Sequence, residues 1–279
     1  MTKRAGYVFV APFMVFFLLL FLLPLGYAGY LSLFKDQLVG GTVFAGLANY
    51  SRALADDQLL HGVLRVGLFF LVQVPVMLLV SLGAALAIDS GLLRAARLFR
   101  LGVFLPYAVP SVVAALMWGY LYGPSFGPLA KLGFNPIGDT LMLPSLGNIV
   151  TWEFAGYNMI ILYAALRTVP AERYEAAAMD GAGPWRTAWF IKIPALRPAL
   201  LLCLVFSVIG SFQLFAEPKL IQSLAPTVIT SSYTPNLYAY SLAFISQQVN
   251  YAAAVSFLLG FVILVVSYAV LLTASRSRR

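Results

Sequence analysis

The length of its charge-free runs constrains this chain more than any other feature. Ala5 to Phe34, Val66 to Ile88, Leu101 to Ala130, Pro198 to Ala216 and Leu220 to Ser275 contain no Asp, Glu, Lys or Arg, and Glu153 alone interrupts Thr140 to Leu166. Lipid offers the backbone no hydrogen-bond partners, so a chain crosses about 30 Å of hydrocarbon as a helix of about 20 apolar residues. The last run is too long for one crossing. Its middle, Ala225 to Tyr251, is rich in Pro, Ser, Thr, Asn and Gln and reads as an outer loop before a final helix. The pattern predicts an all-α integral membrane protein, one domain over residues 1–279, with six transmembrane helices near 8–33, 65–88, 101–122, 146–166, 199–216 and 251–273. A soluble globule is excluded: 10% charged residues, against the roughly 25% typical of soluble domains, cannot cover its exterior.

Basic residues set the orientation. With the N-terminus in the cytoplasm, inner segments hold Lys3, Arg4, Arg94, Arg97, Arg100, Arg167, Arg173, Arg186, Lys192, Arg197, Arg276, Arg278 and Arg279; outer segments hold Lys35, Arg52, Arg65, Lys131 and Lys219. Thirteen against five, out of 18, places both termini inside. The first run is too long for a signal-peptide core and lacks a small-residue cleavage site, so it reads as a retained helix. The net charge of +8 is scattered in short clusters rather than a stripe, which argues against a nucleic-acid partner. A single cysteine, Cys203, and a single histidine, His61, provide neither a disulfide framework nor a metal site.

Polar residues inside spans are costly and face the interior or a cavity. Gln73, Glu153, Asn158 and Gln213 are such residues, and Trp118, Tyr157 and Phe212 are aromatics that could stack on a sugar ring. Interhelical hydrogen bonds explain the amides equally well, and packing or an interface belt explains the aromatics. Pro24, Pro75, Pro106 and Pro110 each remove a helix hydrogen bond, either for shape alone or to let helices line a cavity and move.

The inner segment between the fourth and fifth crossings, 167–198, is the most informative. Pro170 suits a first helical turn, Glu172 and Glu175 suit the positive end of the helix dipole, and three alanines favour helix. Gly181 supplies a positive-φ stop, and a second short stretch from Trp185 to Ile193 ends at Pro194. By physics alone this is either a docking elbow or an amphipathic loop lying in lipid headgroups.

Glu175-Ala176-Ala177, three residues, Gly181, nine residues, then Ile191-Lys192-Ile193-Pro194 resembles the Glu-Ala-Ala loop of ATP-binding-cassette importer permeases, with Ile193 in place of Leu. The flanks Asp180-Gly181-Ala182 and Ile193-Pro194 to Arg197-Pro198 are similar to the carbohydrate, maltose-type branch. Gly46-Leu47-Ala48-Asn49-Tyr50, Phe99-Arg100, Leu105-Pro106-Tyr107, Trp118 and Tyr251 to Ala254 extend the resemblance over nearly the whole chain. After the fifth span, Ser223-Leu224-Ala225-Pro226 stands where the family often has Gly-Gly-Pro.

The resemblance implies a type I importer permease in a bacterial or archaeal cytoplasmic membrane, moving a mono- or oligosaccharide by alternating access. It implies as partners a second, homologous permease, two cytoplasmic ATPases and an extracytoplasmic solute-binding protein. ATP and Mg would be bound by those ATPases and no cofactor by this chain, which has no Gly-x-x-x-x-Gly-Lys-Ser/Thr phosphate loop. Glu172, Glu175, Ala176, Ala177, Asp180, Gly181, Ile191 and Pro194 would then form the ATPase-coupling surface, and the polar and aromatic residues above the substrate pathway. The same machinery carrying a non-sugar solute is the rival reading. An ion-coupled carrier would have only Glu153 as an intramembrane relay, and no acid–base or metal constellation suggests an enzyme.

Overall fold

The computed structural model describes residues 3–37, 40–91, 93–130 and 133–276. Lys131, Arg278 and Arg279, counted in the charge balance, lie outside them, as do the side chains of Lys3, Arg4 and Arg276. Among the described residues, five helices are long and apolar enough to cross a membrane, and a bent helix pair makes a sixth when taken as one broken span.

The first crossing, Tyr7–Ser32, is almost wholly exposed along its apolar window, as a helix surrounded by lipid would be. It touches the rest near its end, where a Cβ built on Gly29 would lie 3.4 Å from the Phe257 ring of the sixth. Pro24 follows a wide turn at Leu18–Leu22, in which the Leu23 N–H bonds the Leu18 carbonyl five residues back. The all-α expectation misses a small outer hairpin, β1 (Phe34–Gln37) and β2 (Gly41–Phe44), antiparallel with Phe34 opposite Phe44. Asn49 explains the Gly-Leu-x-Asn-Tyr segment: its Nδ2 donates to the Ser32 and Phe34 carbonyls, closing the end of the first crossing.

The second crossing, Asp57–Asp89, starts two turns before the expected boundary because Asp56 caps it, accepting from the Gln58 and Leu59 N–H groups. It packs most extensively on the fourth, Met142–Leu166. Ser81 joins the pair, with Oγ 2.9 Å from the Ala155 carbonyl.

The third crossing is not the single helix expected over 101–122. Ala96–Ala108 and Ser111–Tyr122 meet at 98°. Val109 precedes Pro110, whose ring disfavours the helical region for its neighbour, and Val109 is extended with ψ 127°. The first half is pressed against the fourth crossing at Gly156, where a built Cβ would collide with the Val103 carbonyl oxygen and fall 2.7 Å from the Phe104 Cα.

The fifth helix, Arg197–Phe212, stops before the expected 216; after a break the chain resumes helix at Ala216–Ile221. The outer loop expected over 225–251 is a second departure. Ile229, Tyr233 and Leu237 are buried in the largest apolar cluster with Phe69, Met142, Leu146 and Ile221. Its polar composition hid this, because Thr234 is satisfied by buried backbone: its Oγ1 caps helix Pro235–Tyr240 and donates to the Leu214 carbonyl 20 positions away. The sixth helix is Val249–Arg276. Cys203 is fully buried in an apolar cluster that includes Met159, Leu162 and Leu196.

Candidate functional site

Two features stand out, an exposed elbow at the inner end and a cavity among the crossings. The elbow helix is Ala171–Met179, and Pro170 precedes it as its cap rather than occupying its first turn. It ends in a Schellman arrangement: the Ala182 N–H bonds the Ala177 carbonyl, the Gly181 N–H bonds the Ala178 carbonyl, and Gly181 has φ +70°. Glu172, Glu175, Ala176, Asp180 and Gly181 are exposed, so one acidic, small-residue face is free of the body. Ala177 turns inward and is buried.

What holds the elbow is a contact the sequence did not announce. Lys192 Nζ lies 2.6 Å from Asp89 Oδ2 at the inner end of the second crossing, with both side chains largely buried, and 5.4 Å from the Tyr174 ring centre. Burial pushes the Tyr174 hydroxyl above its ordinary pKa, and the Asp89 charge adds to this while Arg167 opposes it. Elbow helix, return segment and second crossing are thus tied at one point. The return segment is not a helix ending at Pro194: Pro184–Thr187 passes through a wide turn at Ala188–Lys192 to Ile193–Ala195, and Leu196 immediately precedes the fifth helix. Ile191 and Pro194 are half-buried there, facing away from full solvent contact.

The cavity, about 510 Å³, is walled by the second, third, fourth and fifth crossings. Of the seven sequence-selected pathway residues, it gathers Gln73, Tyr157, Asn158 and Gln213. Gln73 Nε2 donates to Thr151 Oγ1 at 3.3 Å, and its buried Oε1 has no protein partner. Asn158 Nδ2 donates to the Phe154 carbonyl at 3.2 Å. Tyr157 stacks on Tyr107 with ring centres 4.8 Å apart.

The other three lie off the lining. Trp118 packs against Tyr122 and Trp152, Phe212 is buried with Val66 and Val208, and Glu153 is buried behind the wall, within electrostatic reach of Glu217. Sequence reasoning missed Glu217, Tyr107 and Ser211 as lining residues. Glu217 lies one residue beyond the run that ends at Ala216, and an acid between Ala216 and Pro218 beside apolar neighbours was the available signal.

The model of the family described as "Binding-protein-dependent transport system inner membrane component" matches residues 80–278, which include the bent third crossing, most of the cavity wall and the whole elbow. The chain belongs to this permease family. The permease is 31% identical to the arabinooligosaccharides transport system permease protein AraP of Bacillus subtilis (strain 168), over 95% of this chain and 87% of that one. It is 32% identical to the lactose transport system permease protein LacF of Rhizobium radiobacter, over 94% and 91%. A chain from the crystal structure of a bacterial ABC transporter involved in the import of the acidic polysaccharide alginate superimposes with TM-score 0.84, covering 98% of this permease and 96% of that chain at 19% identity. That likeness shows the fold, a type I importer permease. The permease is therefore a multi-pass membrane component of a binding-protein-dependent importer.

Proposed function

We propose that this permease forms half of the translocation pathway for a sugar, opened alternately to the two sides by separate ATPases that grip the elbow at Glu172 to Gly181. The observation that carries this reading is the exposed Schellman-capped elbow tied through Lys192 to Asp89, on the same second crossing whose Gln73 lines the cavity. A push on the elbow reaches the cavity wall along the continuous helix Asp57–Asp89. Nucleotide drives the cycle only through its differential affinity for the two states. Sugar as the solute is supported by relatives named for arabinooligosaccharides and lactose, and by a lining that combines amides, hydroxyls and stacked aromatics.

The partners in this reading are a second permease chain, two ATPases that bind ATP and Mg, and a solute-binding protein on the outer side of a bacterial or archaeal cytoplasmic membrane. This chain itself holds no cofactor and catalyses no reaction. Reconstitution into vesicles of the two permease chains and the two ATPases with the binding protein tests it. Saccharide-dependent ATP hydrolysis and uptake are expected, and neither from the permease alone. Accumulation of solute by the permease alone would refute the reading.

A further inference from the structure

The chemistry of the cavity wall is one-sided. Among the described residues lining it, Glu217 is the only carboxylic acid, and there is no Lys, Arg or His. Lys219, the base nearest in sequence, is engaged elsewhere, with Nζ 5.0 Å from the Tyr240 ring centre and 3.4 Å from Gln222 Oε1. A second carboxyl, Glu153, is within electrostatic reach of Glu217. The same wall holds one buried acceptor without a protein partner. Gln73 is 5% exposed, its Nε2 is committed to Thr151 and Met77, and its Oε1 has no protein partner.

An anion entering such a space gives up water and meets carboxyl and carbonyl oxygens instead of a cation, which is costly in a low-dielectric site. A solute rich in hydroxyl donors, or carrying a positive charge, meets the partners it needs. We infer that this chain's half of the cavity is a charge filter: it favours uncharged and cationic solutes over carboxylated or phosphorylated ones, with Glu217 as the discriminating residue. The inference rests on reading the cavity as the solute pathway and goes beyond it in naming the charge class.

Gly210 lines the same cavity, and a Cβ built there meets nothing within 4 Å. A Gly210→Cys variant in a Cys203→Ala background, which removes the only native thiol, therefore places a reporter in the wall. In the assembled importer, its modification rates by a trimethylammonium-ethyl and by a sulfonatoethyl methanethiosulfonate are measured, each divided by the reagent's rate with a free thiol. The corrected ratio is expected to favour the cation about tenfold, and Glu217→Gln to reduce it about threefold or more. A ratio near one, or one unmoved by Glu217→Gln, overturns the filter. If Glu217→Gln does not assemble, the ratio in Gly210→Cys alone decides: near one, the filter is wrong. The reagents are not sugars, so the two readings fail separately. An importer that moves an amino acid through a cation-favouring cavity loses the sugar and keeps the filter. A sugar importer with a ratio near one loses the filter alone.

Discussion

Lys192 Nζ and Asp89 Oδ2 lie 2.6 Å apart although 103 residues separate them in the chain. The pair is the point where the elbow's return segment meets the inner end of the second crossing, and with Tyr174 against Lys192 it closes a three-part clamp.

Breaking one side of the clamp leaves a largely buried charge unpaired, which costs about 3 kcal/mol. Lys192→Met is expected to leave insertion intact and to lower uptake per ATP hydrolysed. Exchanging the charges, Asp89→Lys with Lys192→Asp, is expected to restore part of the loss. Transport and ATPase rates measured together in vesicles check both, and normal coupling in Lys192→Met would remove the clamp from the transmission path.

Gly181 sits at φ +70° with open space around it, so a side chain there is resisted by backbone conformation and not by neighbours. An L-residue in that region costs about 1–2 kcal/mol. Gly181→Leu should uncouple hydrolysis from uptake while the protein still inserts, and Gly181→Asn, which tolerates the conformation better, should retain most coupling. Equal transport by wild type and Gly181→Leu would end the coupling role of this turn.

Gly156 is the opposite case, since its φ is ordinary and its space is filled by the Val103 and Phe104 backbone. Backbone cannot swing aside as a side chain can. Gly156→Ala is expected to destabilise the permease by about 3 kcal/mol and to lower its unfolding temperature in detergent.

Gln213 and Phe212 are adjacent, yet one lines the cavity and the other is core. Gln213→Ala should alter the half-saturating solute concentration without changing thermal stability. Phe212→Ala should do the reverse, costing about 3–5 kcal/mol. Swapped phenotypes would mean that the cavity is not the pathway.

Asp56 Oδ2 accepts from the hydroxyls of Tyr238 at 2.7 Å and Tyr251 at 2.6 Å. Burial pushes its pKa up, but these two bonds and those from Leu59 and Gln58 outweigh it and hold the carboxyl below its ordinary value. Tyr238 is pushed up to about 12, by burial first and then by Asp56. For a lowered carboxyl the stabilisation is complete above its unfolded-state pKa and lost as pH falls through the folded one. Wild-type stability should therefore fall on acidification through and below the usual carboxylate range. Asp56→Asn should be less stable at neutral pH and lose less across that window, as thermal unfolding at each pH would report.

The crossings were legible because burial in lipid demands long apolar runs, and those runs are visible residue by residue. The elbow was legible because Pro170, Gly181 and the alanines act through local backbone preference. The clamp was not, since nothing in Lys192 or Asp89 alone specifies a partner 103 residues away. The buried segment near Thr234 escaped for a related reason: its polar side chains bond to buried backbone, so composition suggested water where there is core. Among Gln73, Trp118, Glu153, Tyr157, Asn158, Phe212 and Gln213, polar or aromatic character marked candidates but not which of them meet open space. That depends on helix rotation, and the break at Val109–Pro110 sets it for Tyr107 and Ser111.

The 98° corner in the third crossing makes that element two levers instead of one. The inner lever is keyed to the fourth crossing at Gly156, while the outer one leans on Ala216–Ile221, the short helix that bears Glu217. The two mouths of the passage are thus framed by separate jambs, each seated chiefly on a different neighbour.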